Sequence, residues 1–124
     1  MVMSFRAKDG VPLTGPVVNL AAAGAANAVA IFALSAAAQQ IGTKSMILKR
    51  VHIRNNAVLA NVWVQIGTGV AGAFVDLVTP VLSISGMDDV FDLPPVESFA
   101  TITAFPTTLP AGSIDIQIEV EERG

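Results

Sequence analysis

The end of the chain carries the pattern that most restricts its fold. Between residues 114 and 121, isoleucine and valine alternate with acidic and amide side chains over eight residues, in the order IDIQIEVE. A period of two places successive side chains on opposite faces of an extended strand. The pattern therefore predicts a long β-strand with one face buried and the other in contact with water.

Shorter segments upstream show the same alternation. Residues 47–54 predict a strand in which Lys49 interrupts the apolar side, and residues 58–66 predict another with Trp63 on its outer face. The inward side chains are predicted to be Ile47, Val51 and Ile53 in the first strand and Val62, Val64 and Ile66 in the second. Further strands are predicted over residues 74–78, 88–93 and 99–105. Residues 28–38 predict a strand as well, with a helix as the alternative because alanine favours helix. Seven or eight short strands separated by Gly, Pro and Asn turns indicate an antiparallel β-sandwich or barrel.

The first part of the chain has a different character. Residues 1–26 are rich in turn-forming residues and show no periodicity, so they predict an extended N-terminal arm before a β-sandwich domain over residues 27–124. Residues 10–43 contain no charge, a length that could span a bilayer. Alanine is nearly neutral for insertion and the interspersed Asn and Gln oppose it, so we expect no membrane segment.

Composition and charge exclude several classes of protein. The chain has no cysteine, which removes disulfides, thiol catalysis and Cys-ligated zinc. Its net charge of −3 argues against direct binding of nucleic acid. Only 14% of residues are charged, which suggests that part of the surface is covered. The early basic residues Lys49, Arg50 and Arg54 could pair with the late acidic strand across a sheet or between subunits.

The string at residues 67–72, GTGVAG, matches the glycine spacing of a dinucleotide-binding loop, and Asp88 and Asp89 follow about twenty residues later. That mechanism needs a helix opening at the loop. The residues that follow, AFVDLV and then Pro80, are short and strand-like. We therefore interpret the string as a hairpin loop.

No arrangement of residues supports catalysis. His52 is the only histidine and sits among basic residues, where a surface or interface position is the simplest interpretation. The carboxylates of Asp88, Asp89 and Asp92 could help bind calcium, but their spacing is not that of an EF-hand. No nucleophile is paired with a base. We expect no enzyme activity, no metal and no cofactor.

Trp63 is the most informative single residue for binding. An outward-facing tryptophan often marks a binding surface. It could stack on a sugar, as in a carbohydrate-binding module, or pack against a neighbouring subunit or the arm. The chain has one Trp, no Tyr and six Phe, which favours a protein interface.

Several segments together resemble the small jelly-roll decoration (cement) proteins of tailed bacteriophages. They are the strand from Ala28 to Ala38, KSMILKRVHIRNN, VWVQIGTG, DVFDLPPVESFATITA and SIDIQIEVEE. The likeness lies in the style and order of strands from about Ala28 onward. It implies an antiparallel jelly-roll-like β-sandwich and a homotrimer on the outer surface of a virion, where the trimer clamps subunits of the major capsid protein.

The interface residues expected from this interpretation are Lys49, Arg50, His52, Arg54, Trp63, Phe5 and Arg6. The arm and the basic strand are predicted to contact capsid neighbours. Two alternatives come from other classes: a carbohydrate- or receptor-binding β-sandwich module, and a minor head or tail structural protein.

Overall fold

The computed structural model describes residues 12–33, 45–56, 61–108 and 114–123. These residues form ten β-strands and two single 3-10 turns, at Ala25–Asn27 and Ala71–Ala73. The strands are β1 (Pro12–Thr14), β2 (Val18–Leu20), β3 (Val29–Phe32), β4 (Ser45–Asn55), β5 (Val62–Thr68), β6 (Val75–Asp76), β7 (Val81–Ser83), β8 (Asp88–Ser98), β9 (Ile102–Pro106) and β10 (Ile114–Arg123).

The strands form two antiparallel sheets. In the first sheet, β1 and β2 both pair with one side of β10. The other side of β10 pairs with β4, and β8 pairs with β4 at the edge of the sheet. In the second sheet the order is β3, β9 and β5, and both β6 and β7 pair with the free side of β5. The two sheets pack face to face, which confirms the prediction of an all-β antiparallel sandwich.

The pairing is nested along the chain. The first strands, β1 and β2, pair with the last strand, β3 pairs with β9, β4 with β8, and β5 with β6 and β7. The pairings of β1 and β2 with β10 and of β4 with β8 lie in the first sheet. The pairings of β3 with β9 and of β5 with β6 and β7 lie in the second sheet. Each sheet therefore combines strands from both halves of the chain, so the core closes only when both halves are in place.

The core lies between the sheets. Ile114, Ile116, Ile118 and Val120 of β10 are all at most 1% exposed, as their alternation predicts. From the second sheet, the apolar side chains of β5 face them and are equally buried. These are Val62, Val64 and Ile66. Each fully buried aliphatic side chain of this size contributes roughly 1.5–3 kcal/mol.

The alternation of buried and exposed residues along β4 reverses in the middle of the strand. Met46 and Leu48, which precede Lys49 in the chain, are buried, and so are Val51 and Ile53, which follow it. The register shifts there, because Val120 lies opposite Leu48 while Glu119 lies opposite Arg50, which leaves Lys49 as the extra residue of a β-bulge. The inward placement of Val51 and Ile53 is confirmed. That of Ile47, which is only half-buried, is wrong because the bulge reverses the alternation before Lys49.

Strand β8 continues through two prolines. The sequence predicted that it ends before Pro94, but it extends to Ser98. Arg50 lies opposite Asp92 and Leu48 lies opposite Val96, so three residues of β8 face the single bulged residue of β4. β8 is an edge strand, where a proline removes no ladder hydrogen bond on the solvent side. The predicted strand at residues 74–78 is shorter than expected, reduced to Val75–Asp76.

The described part of the predicted arm belongs to the sandwich. Leu13 and Thr14 pair with β10, and Leu20 of β2 is fully buried in the core. Residues 12–20 therefore form one edge of the first sheet instead of an extension beyond it. Residues 1–11 of the predicted arm lie outside the described residues, as does the predicted strand from residue 34 to 38.

Candidate interaction surfaces

Charge is distributed unequally between the two sheets. The outer face of β4, β8 and β10 carries a dense array of acidic and basic side chains, whereas Asp76 is the only charged residue in the five strands of the second sheet. The chain thus has a charged face on one sheet and a nearly uncharged face on the other. Here we call these the charged face and the neutral face.

On the charged face, β4 supplies a central row of cations between two rows of carboxylates. The guanidinium of Arg50 donates a hydrogen bond from Nε to Oδ1 of Asp92 at 2.8 Å, and its Nη1 lies 3.6 Å from Oε2 of Glu119. The hydrogen bond to Asp92 raises the pKa of Arg50, and the charges of Asp92 and Glu119 act in the same direction. These groups are exposed, so the ion pairs orient side chains more than they stabilise the fold.

Two further predicted interface residues of β4 also have partners within the chain. The ammonium of Lys49 lies 2.9 Å from Oε2 of Glu121, and the imidazole of His52 contacts the carboxylate of Asp88. Arg54 is exposed and lies opposite Asp88 and Asp115 in the two flanking strands. The basic and acidic strands therefore pair across the sheet, which is one of the two alternatives that the sequence allows.

Two predicted interface residues, Phe5 and Arg6, lie outside the described residues. The assignment of Lys49, Arg50, His52 and Arg54 to a partner interface stays a prediction. The pairing within the chain counts against it, because a partner would have to compete with carboxylates already in place.

Trp63 lies on the neutral face, as predicted, and its side chain is half exposed. Its backbone carbonyl accepts hydrogen bonds from the backbone N–H of Thr107 at 2.9 Å and from the Thr107 hydroxyl at 3.2 Å. The indole borders a shallow trough of about 350 Å³. Its other walls are uncharged and are formed by Gln65, Thr79, Pro80 and Thr107.

The glycine loop folds back over the same sheet. A Cβ at Gly67 would lie 2.0 Å from the carbonyl oxygen of Val75, and one at Gly69, which has a φ of +78°, would lie 2.3 Å from the carbonyl oxygen of Ala73. The loop is followed by a single 3-10 turn and the short strand β6, with no helix that could hold a pyrophosphate. Close backbone packing therefore requires glycine at positions 67 and 69, and the segment is a hairpin loop between β5 and β6, as interpreted from the sequence.

This loop explains why part of the neutral face is covered. The ring of Phe74 packs edge-on against Phe105, with ring centroids 4.7 Å apart. The hydroxyl of Thr103 donates a hydrogen bond to the carbonyl of Gly69 at 2.6 Å. Phe105 is consequently 5% exposed although it projects outward from β9. Trp63 lies on a part of the face that this loop leaves exposed.

A second apolar surface lies where the edges of the two sheets come together. β8 ends the first sheet and β6 and β7 end the second, and a groove of about 620 Å³ runs between them. We call it the edge groove. It is lined by Asp76, Leu77, Val78, Thr79, Pro80, Leu93, Pro94, Pro95 and Val96. The bulge of β8 at its two prolines moves this edge away from β4, so apolar side chains at the margin of the core face the solvent.

Within the described ranges, no group of three or more His, Asp or Glu side chains is arranged to hold a metal ion. The same residues contain no helix long and apolar enough to cross a membrane. No protein-family model, curated protein or solved structure matches the chain. The features that bear on function are therefore the charged face, the neutral face and the edge groove.

Proposed function

We propose that the chain is a structural virion protein that decorates the outer surface of a viral capsid and cements subunits of the major capsid protein. The observation that carries the proposal is the neutral face with the exposed Trp63. Fully buried centres of protein interfaces are depleted of charge and enriched in aromatic residues. Tryptophan is also among the residues that most often dominate the binding energy.

The unequal distribution of charge favours one orientation on a shell. Covering a charged side chain without a partner is costly, whereas an uncharged apolar surface loses little solvation when another protein covers it. We therefore place the neutral face against the capsid and the charged face, with Arg50 and its carboxylate partners, toward the solvent. A protein so placed adds buried area at subunit junctions and resists expansion of the shell.

Jelly-roll connectivity is part of the same proposal. Nested pairing of β1/β2 with β10, β3 with β9, β4 with β8 and β5 with β6/β7 supports it, because a jelly roll is a two-sheet sandwich of eight strands. Counting β1/β2 and β6/β7 as one strand each gives that number. This connectivity is the one implied by the resemblance to phage decoration proteins.

We further propose that the protein acts as a homotrimer and binds neither nucleic acid nor membrane. The net charge of −3 gives it no general attraction to a polyanion. An oligomer suits a decoration role because several weak contacts to a shell combine into tight binding.

Sedimentation with capsid shells tests the proposal. Purified protein is mixed with shells of the virus that encodes it, and the bound fraction is measured after centrifugation. We expect the wild type to bind and the Trp63→Ser variant to bind at least about tenfold more weakly, since loss of an interface anchor costs about 2 kcal/mol or more. Val90→Ser is the matched control, because Val90 is 56% exposed but lies on a strand of the first sheet.

Binding of the control should change less than about twofold, and the circular dichroism spectra of both variants should match that of the wild type. Failure of the wild-type protein to sediment with shells overturns the proposal. Equal binding by Trp63→Ser and Val90→Ser overturns the assignment of the neutral face.

A further inference from the structure

Glu122 is a buried carboxylate at one end of the sandwich, where it is 6% exposed. It continues the inward spacing of Ile118 and Val120 along β10, and it lies opposite the fully buried Met46 of β4. No residue that the structure describes forms a hydrogen bond or an ion pair with this carboxylate. Burying a carboxylate without a counter-charge is costly, so its position favours a cation nearby.

The basic side chains of β4 do not supply that cation. Lys49 and Arg50 already pair with carboxylates of the flanking strands, and His52 contacts Asp88. Arg54 lies near the far end of β4, about 25 Å along the strand from Met46. The counter-charge of Glu122 must therefore come from outside the described residues.

The chain enters the sandwich beside this carboxylate. Pro12, the first residue that the structure describes, lies opposite Glu121, and β1 runs antiparallel to β10. The residues before Pro12 therefore approach from the side of Glu122. One flank of Glu122 is occupied by Met46, and no described strand pairs with it on the other flank, which is the flank of β1.

We infer that residues 1–11, the N-terminal segment, dock against this end of their own sandwich and that a cation of the segment pairs with the carboxylate of Glu122. The segment carries Arg6 and Lys8 against a single acidic residue, Asp9. Lys8 and Arg6 precede Pro12 by four and six residues, which span at most about 14 and 21 Å. Both cations are therefore within reach of Glu122.

The short connection favours the subunit's own segment over that of a second copy. A group tethered by a few residues has an effective concentration in the millimolar range, so it forms contacts that separate molecules form only weakly. A docked segment closes the end of the sandwich and keeps Arg6 within its own subunit, where the sequence predicted a contact with the capsid. The neutral face stays free, because Glu122 belongs to the first sheet.

Charge-removing variants of the full chain test the contact. Arg6→Gln combined with Lys8→Gln, the arm variant, should lower the ratio of folded to unfolded protein at least about tenfold, because it leaves Glu122 without a cation. Unfolding in urea measures this ratio. In a Glu122→Gln background the arm variant should lower it less than about twofold, since a neutral amide needs no counter-charge. Equal losses in the two backgrounds overturn the inference.

Three controls identify the cation and its source. With Glu119→Gln in place of Glu122→Gln, the loss caused by the arm variant should persist. Lys44→Gln and Arg123→Gln should have the same effect with and without Glu122→Gln, and a loss that depends on Glu122 at either position instead of in the arm overturns the inference. The loss should be constant over about a hundredfold range of protein concentration, and a concentration-dependent loss would assign the contact to a second copy.

A spin label tests proximity independently of the stability of these variants. The chain contains no cysteine, so Ala7→Cys accepts a single nitroxide between the two cations. In a sample diluted with unlabelled wild type, the nitroxide should broaden the amide signals of Met46 and Glu122 more than those of Asn55 and Ile114, which pair at the other end of the sheet. Equal broadening at both ends, or none, overturns the inference. Neither experiment uses shells, so failure here is independent of whether the wild type binds them.

Discussion

Lys49 is the extra residue of the bulge in β4, and its ammonium lies 2.9 Å from the carboxylate of Glu121 on β10. The side chain of Glu121 is 9% exposed and that of Lys49 is 41% exposed. A bulge redirects the side chain of the inserted residue. The bulge therefore places the ammonium of the lysine that interrupts the apolar pattern of β4 beside a largely buried carboxylate.

Replacing Lys49 with methionine should destabilise the protein by about 1–3 kcal/mol. The substitution keeps the length of the side chain but removes the charge-assisted contact of this cation with the largely buried carboxylate of Glu121. The free energy of unfolding, measured with urea, checks the prediction. Arg54→Met is the control and should change it by less than about 0.5 kcal/mol, because Arg54 is exposed. Equal effects of the two substitutions would contradict the role given to the bulge.

Asn55 and Asn56 offer a matched pair at the end of β4. Asn55 is 1% exposed, and its side-chain N–H donates to the carbonyl of Ser83 at 3.2 Å, whereas Asn56 is exposed and donates to Asp115 at 3.0 Å. The backbone of Asn55 also bonds to Met87 and Gly86, so this residue joins the end of β4 to the loop between β7 and β8. Asn55→Ala should therefore cost about 1–3 kcal/mol of unfolding free energy.

Asn56→Ala should cost less than about 0.5 kcal/mol in the same experiment, because water replaces its exposed hydrogen bond. Chemical denaturation of the two variants side by side makes the comparison. A larger effect at Asn56 than at Asn55 would show that the loop is not held by the buried amide.

The glycine loop gives a second matched pair. Gly67→Ala should destabilise the protein by roughly 2–4 kcal/mol, because its Cβ would meet the carbonyl oxygen of Val75 at 2.0 Å and the ring of Phe74 at 2.8 Å. Gly72→Ala should change stability by less than about 1 kcal/mol, since no atom lies within 4 Å of its Cβ. The melting temperatures of both variants check this. A tolerated substitution at Gly67 would mean that the loop does not pack on the sheet as described.

The sequence predicted best where a strand alternates without interruption. The buried set of β10, from Ile114 to Val120, and the outward position of Trp63 are confirmed because a period of two leaves only one assignment of faces. The same reasoning misplaced Ile47. Lys49 was visible as an irregularity, but alternation alone does not show whether an irregular residue is a buried exception or an insertion that reverses the faces.

Two other differences have related causes. Pro94 and Pro95 were interpreted as the end of a strand, since proline cannot donate to a ladder, but an edge strand does not use that donor. Residues 12–20 show no alternation, because β1 and β2 are each only three residues long. Their place in the first sheet is determined by pairing with β10, about a hundred residues later, which local pattern does not reveal.

The candidate surfaces were predictable only in part. The outward position of Trp63 was predicted from its place on an alternating strand, and its binding role stays a prediction. The pairing of Arg50 with carboxylates of the two flanking strands was one of two alternatives, and the register had to be known to choose between them. The edge groove depends on which strands end each sheet, and sequence does not give that order.

The proposed placement of the neutral face against a capsid shell can be tested at Trp63, which is the only tryptophan in the chain. Incorporating 5-fluorotryptophan gives one ¹⁹F signal, whose relaxation by a soluble paramagnetic agent reports contact of the half-exposed indole with solvent. We predict that this relaxation falls at least about threefold when the protein binds shells, because an interface anchor loses its contact with water. An unchanged relaxation in the shell-bound protein would show that Trp63 stays in solvent and would contradict the claim.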